Sequence, residues 1–236
     1  MAANDAVTLS NTLFLEQKLA WNGICIEPNL EYYSSKTKSI VLNKGIYTQN
    51  VNNQDSDGVS LLRRKCKLVR AAVASPTNTK VRFDFGGPEK WAALGGIVGS
   101  NFDNQSPIPS DHLSPMRTVA LMELLNHFAA PKLIDYFSLD VEGSESIVME
   151  GFDWDYYRFS IITVERPKPI LVENLLDHGY RKLRSNAIFD DELWVDASLY
   201  ASTQKEWGHE SWHDLPKSSC LGKKPLPKGG KACNMQ

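Results

Sequence analysis

The amino-acid sequence predicts an α/β domain whose mostly parallel sheet is covered by helices. Three observations carry this. Short apolar runs bounded by turn residues alternate with amphipathic segments through most of residues 1–197. Residues 159–165 are nearly all apolar or β-branched, as a strand covered on both faces should be. Residues 180–184 and 192–196 read as strands with no helix between them, so these two are expected to form an antiparallel hairpin at the end of the domain.

The elements follow in order. Residues 12–20 favour a helix with Leu15 and Leu19 on one face, and Asn22-Gly23 breaks it. Ile24 to Glu27 reads as a short buried strand ended by Pro28-Asn29, and a second helix is expected near Leu30. Residues 47–58 are rich in Asn and Asp and read as a loop within a polar insertion spanning about 36–65. Residues 66–73 are apolar enough for a strand, Ser75 to Asn78 supply a turn, and 81–85 alternate with period two. Residues 86–116, rich in glycine and proline, predict a long loop that can cover a site. In the helix predicted over 119–129, Leu121, Leu124, Leu125 and Phe128 share a face, and Ala130-Pro131 stops it. A strand over 134–139 runs into Asp140-Val141-Glu142-Gly143, followed by a short helix capped by Gly151. Pro167 and Pro169 precede a helix over about 170–178, closed by Gly179. From about residue 198 the pattern fades into a C-terminal extension. Trp207 and Trp212 are expected to dock its first part, and a flexible basic tail starts near 217.

Composition narrows the function classes. With 236 residues the chain suits one domain plus an appendage. A formal charge of -2 gives no global attraction to nucleic acid, and the local basic runs, Arg63-Arg64-Lys65 and the C-terminal lysines, read as solvated surface. No apolar stretch is long enough to span a membrane, so a soluble protein is expected. Residues 1–5 lack the basic start and apolar stretch of a signal peptide. The four cysteines, at 25, 66, 220 and 233, have no zinc or redox spacing. Cys25 and Cys66, lying in apolar runs, are expected to be buried free thiols in a reducing, cytoplasmic setting.

In an open α/β sheet, ligands bind beyond the carboxyl ends of the strands, so the residues there are the candidates. Glu27 can accept two hydrogen bonds from a ribose diol; alone it also reads as an exposed strand-end acid. Asp140 and Glu142 flank a strand terminus beside a glycine. They can orient a hydroxyl, act as a general base or hold a hard cation, or simply form an acidic turn into a helix. Glu165 either sits at the rim of the same site or only pairs with Arg166 or Lys168. Residues 1–8 can form a loop that presents backbone N–H groups to a cofactor. The histidines lack placed partners, so surface or capping roles are expected. His209 and His213 share an i, i+4 spacing without a third ligand, and no complete metal set is legible.

Taken together, SNTLFLEQKLAWNGICIEPN, KLVRAAVAS, LIDYFSLDVEGSE and ITVERP resemble the FkbM methyltransferase family over about residues 3–196. The resemblance implies a Rossmann-like class I methyltransferase fold that uses S-adenosyl-L-methionine, usually to methylate a hydroxyl oxygen. It implies that Ala3, Asn4, Asp5 and Ala6 belong to the cofactor loop, that Glu27 with Pro28 holds the ribose, and that Ala71 or Ala72 lies near the adenine. Asp140 is then expected near the reactive methyl group, with Glu142 close by. The acceptor class is a small-molecule, glycan or lipid hydroxyl.

Two departures from the family pattern stand out. The family's cofactor loop usually reads Asp-x-Gly-Ala-Asn-Asp-Gly after an apolar first strand. Here Ala2 and Ala6 stand where glycines belong, and the first strand is expected to be missing through N-terminal truncation. The polar insertion near residues 36–65 pushes the third strand downstream. A damaged first loop keeps open a non-catalytic, methyltransferase-like interaction module as the alternative. A nucleotide-dependent oxidoreductase fits less well, because no G-x-G-x-x-G follows any strand.

Overall fold

The apolar run at 159–165 becomes the spine of the C-terminal half, in the computed structural model, which describes residues 10–29, 40–42, 46–49, 66–85, 95–99, 102, 113–185 and 191–199. In chain order the elements are α1 (Leu13–Leu19), β1 (Ile24–Ile26), β2 (Ile40–Leu42), β3 (Ile46–Gln49), β4 (Lys67–Arg70), β5 (Ala72–Val73), β6 (Lys80–Asp84), β7 (Gly96–Ile97), β8 (Leu113–Val119), α2 (Leu121–His127), β9 (Leu133–Leu139), α3 (Glu145–Met149), β10 (Arg158–Glu165), α4 (Pro169–Asp177), β11 (Tyr180–Ser185) and β12 (Asp191–Asp196).

They form a mixed α/β fold with three four-stranded sheets, ordered β1-β4-β3-β2, β11-β12-β10-β9 and β5-β8-β6-β7. The pairs β1/β4, β9/β10 and β5/β8 are parallel, and the other pairs among the described residues are antiparallel. The predicted C-terminal hairpin is present as β11 and β12. The expectation of a mostly parallel sheet gives way to a mixed arrangement for two reasons. A β2–β3 hairpin inside the polar insertion adds antiparallel strands to β4, and β6–β7–β8 forms an antiparallel unit of its own.

The single strand predicted over 66–73 divides at Ala71. Its first part pairs with β1 and its second with β8, so the chain changes sheets inside one apolar run. Residues 47–49, expected in a loop, lie in β3, where cross-strand pairing outweighs their polar composition. Most of the loop predicted at 86–116, the helix expected near Leu30, and Trp207, Trp212 and the basic tail lie outside the described residues.

One apolar core joins the first two sheets. Ile26 and Val69 belong to the same buried cluster as Leu139, Phe159, Ile162 and Trp194. Phe159 stacks between Phe137, at 4.5 Å, and Phe152, at 5.2 Å. The buried Tyr180 hydroxyl donates to the Phe159 carbonyl and accepts the Phe159 N–H, each at 3.0 Å, so this aromatic satisfies its own polar tip. Arg158 closes the far end of the sheet by donating to the His178 carbonyl and pairing with Asp196. His178 also bonds the Asn174 carbonyl through Nδ1 and stacks on Trp154, a helix-end role of the kind expected for it.

Two expectations are corrected. Leu15 and Leu19 do not form the docking face of α1, since Leu19 is 53% exposed. The buried residue of that helix is Glu16, whose carboxylate accepts the Cys66 N–H at 3.1 Å. A strand-end N–H that needed a partner sets the rotation of this short helix. Cys25 and Cys66 are not free thiols. The parallel pairing of β1 with β4 brings their Cα atoms to 5.7 Å, and they form a disulfide across 41 residues of chain. Neither cysteine has a local partner in sequence, which is why spacing alone missed the bond. The expected reducing compartment loses the support of free thiols. No helix among the described residues is long and apolar enough to cross a membrane.

Candidate functional site

The chemistry collects at the carboxyl ends of the parallel strands. At the end of β1, Glu27 is buried; its N–H donates to the Val69 carbonyl at 3.0 Å, and its Oε1 accepts the Asn29 N–H at 2.8 Å. Pro28 follows, and its carbonyl accepts the Arg70 Nε–H at 3.1 Å, which fixes the turn against β4. Glu27, Pro28, Ala71 and Ala72 all line one cleft of about 400 Å³, part of it open to solvent. Sequence reasoning did not assign the rest of the lining. Ile26 and Val73 extend the strand-end wall, Phe83 and Gly96-Ile97 come from the third sheet, and Val141 and Ser144 come from the acidic turn. Phe83 and Ile97 are register partners between β6 and β7, a pairing the sequence leaves open.

The acidic turn forms a second, adjoining cluster. In the parallel β9/β10 pair, Leu139 lies opposite Val164, so the next residues, Asp140 and Glu165, leave the sheet side by side. Glu142 returns toward them because the turn is left-handed at two successive residues, Glu142 with φ 55 and Gly143 with φ 88. The carboxylate oxygens of Asp140, Glu142 and Glu165 then lie within 4.8 Å of one another. A turn of this shape needs internal support. Glu145 provides it, since one buried carboxylate oxygen accepts both the Val141 and the Gly143 N–H at 3.1 Å, while Ser144 Oγ donates to the Val141 carbonyl at 2.8 Å. Burial pushes the Glu145 carboxyl up from its ordinary range, against the pull of those N–H donors.

Three carboxylates at this spacing repel one another, and a proton relieves part of that repulsion. Burial first, then the negative charge of Glu165 and a hydrogen bond with it, then Glu142, push Asp140 up to about 8. The Asp140–Glu165 pair therefore holds a proton more tightly than an isolated aspartate does. Arg166 relieves more of the repulsion. Its Nη2 is 2.8 Å from Glu165 Oε1 and 3.4 Å from Glu142 Oε2. Lys168 donates to the Gly143 carbonyl at 2.7 Å. Glu165 thus lies beside Asp140 and Glu142 and pairs with Arg166. The donor set, all hard oxygen, also suits a divalent cation.

The structure brings the predicted site residues into two neighbouring groups. Glu27, Pro28, Ala71 and Ala72 form the cleft wall, while Asp140, Glu142 and Glu165 gather just beyond it, with Val141 and Ser144 shared between turn and cleft. Ala3, Asn4, Asp5 and Ala6 lie outside the described residues.

The acids thus stand at the carboxyl ends of parallel strands, where open α/β sheets bind their ligands. The model of the methyltransferase FkbM domain matches residues 1–182, and the chain belongs to that family. Neither the curated proteins nor the solved structures contain a match to it.

Proposed function

We propose that this chain is an S-adenosyl-L-methionine-dependent methyltransferase that acts on a hydroxyl oxygen. The observation that carries the reading is a single cleft lined both by Glu27 and by Val141 and Ser144 of the acidic turn. In this reading the sheets β1-β4-β3-β2 and β11-β12-β10-β9 belong to one Rossmann-like sheet, residues 1–197 form the domain, and 198–236 are an extension.

The residues present fit the cofactor. Glu27, held by the Asn29 N–H, offers a buried carboxylate to a ribose diol. Ile26, Ala71, Val73, Phe83 and Ile97 give the cleft apolar walls suited to a flat base, with Ala72 beside them. The carboxylates of Asp140, Glu142 and Glu165, gathered beside the cleft, complement a sulfonium. When bound, the cofactor supplies an electrophilic methyl group. The chain's own part is orientation. Glu142 and Glu165 orient the acceptor hydroxyl and one of them takes its proton, with Asp140 beside them. Ala3, Asn4, Asp5 and Ala6 complete the cofactor loop in this reading.

The test is calorimetric titration of the full chain with S-adenosylmethionine. Saturable binding is expected, weakened about tenfold or more by Glu27→Gln, which removes a charge-assisted acceptor. Absence of binding, both by this chain and by one given an apolar strand ahead of Met1, would overturn the proposal.

A further inference from the structure

The cluster of three acids has a cation of its own, and the backbone is bent to place it there. Along a strand, successive side chains point to opposite faces, so Glu165 and Arg166 should diverge. They do not. Arg166 has φ 39, outside the extended region, and its guanidinium reaches back to the side chain of its immediate neighbour and on to Glu142. The partner turn is bent in the same sense, with Glu142 at φ 55. Two non-glycine residues on facing segments are therefore held left-handed, against the steric preference of L-residues. Each carries one end of the same ion pair. Lys168, two residues on, pins the carbonyl of Gly143, so the segment 166–168 clasps the acidic turn through both a side chain and the backbone.

A helix start that merely connected β10 to α4 would need none of this. A buried group of carboxylates, by contrast, needs positive charge close by. The Glu142 side chain is 9% exposed and that of Glu165 14%, whereas Arg166 is 43% exposed and covers them from the solvent side.

From this geometry we infer that Arg166 is a positioning residue that acts as the built-in counter-cation of the acid cluster, occupying the role a divalent ion plays where three such carboxylates meet. It holds Glu142 and Glu165 apart and aimed, and it closes the cluster to hard cations. The inference deepens the methyltransferase reading, since it concerns the residues proposed to hold the acceptor hydroxyl, but its test does not depend on transfer activity.

The probe is Mn2+, followed by its electron paramagnetic resonance signal in titrations of the full-length wild-type protein, Arg166→Gln and Arg166→Lys, with S-adenosylmethionine titrated in parallel. The wild type should bind Mn2+ no more tightly than about millimolar. R166Q should bind it about tenfold or more tighter, and R166K, which keeps the charge, should restore the weak wild-type value. The cofactor titration reports separately on the neighbouring cleft, which Arg166 does not line. Micromolar Mn2+ binding by the wild type would overturn the inference, even were R166Q unable to fold. So would equal affinities in all three proteins. Loss of cofactor binding by the wild type, with the Mn2+ pattern intact, would sink the methyltransferase reading and leave Arg166 in its place.

Discussion

The two sheets that carry the candidate site are built differently. The sheet β11-β12-β10-β9 is held by long ladders, with six register pairs joining β9 to β10 and five joining β10 to β12. An aromatic cluster around Phe159 fills its interior face. The sheet β1-β4-β3-β2 is thin by comparison, since β1 is three residues long and meets β4 through three register pairs. What it lacks in ladder it gains in cross-links, namely the Cys25–Cys66 disulfide and the bond from the Cys66 N–H to buried Glu16. The proposed chemistry is divided along the same line, with the ribose-type acceptor Glu27 on the thin sheet and the acids on the thick one. One half is rigid through packing, the other through covalent constraint, and the cleft lies where they meet.

The comparison can be broken in either half. Phe159→Ala removes the ring stacked between Phe137 and Phe152, and should cost about 3–5 kcal/mol in denaturant unfolding, as large aromatic truncations in a close-packed core do. A loss under about 1 kcal/mol would mean that the thick sheet is not held by this cluster.

Removing the disulfide through paired Cys25→Ser and Cys66→Ser changes should cost somewhat less, about 3–4 kcal/mol for a closed loop of this length. Its signature should be regional. Amide exchange should speed up around β1 and β4 while β9 and β10 stay protected, and cofactor affinity should fall with it. Uniform acceleration across both sheets would erase the distinction drawn above.

At Asp140 the effect depends on pH. The folded-state value of about 8 lies above the unfolded 3.8, so the folded protein binds this proton more tightly. The resulting stability is fully present below about pH 4 and is lost as pH rises through about 8. Asp140→Asn keeps a donor toward Glu165 and cannot ionise. Its melting temperature should match the wild type near pH 4 and exceed it increasingly toward pH 9, by about 3 °C for each kcal/mol in a chain of this size. A gap that narrows with rising pH would contradict the raised value.

Much of this was legible in residue order. The helix at Leu121–His127, the strands at Leu133–Leu139 and Arg158–Glu165, and the glycine stops at Gly151 and Gly179 all follow from periodicity and turn chemistry. So did the strand-end positions of Glu27, Asp140 and Glu165. α1 was legible as a helix but not in its orientation, because a buried Glu16 bonded to a strand N–H is invisible to an apolar-face argument. The run at 66–73 looked like one strand because composition does not record a change of partner at Ala71. Phe83 and Ile97 gave no sign of a shared wall, since their pairing depends on the register between β6 and β7.

By itself, then, the sequence determined the kinds of element, their order and the acids that end the strands, because each depends on neighbours a few residues away. The family follows from the same stretches. Only the tertiary structure decided that Cys25 meets Cys66, that Asp140 and Glu165 emerge side by side, and that Arg166 turns back over both glutamates. Those facts rest on strand register and on two left-handed residues, and both are settled only when segments far apart in the chain pack together and the gain from packing exceeds the local cost.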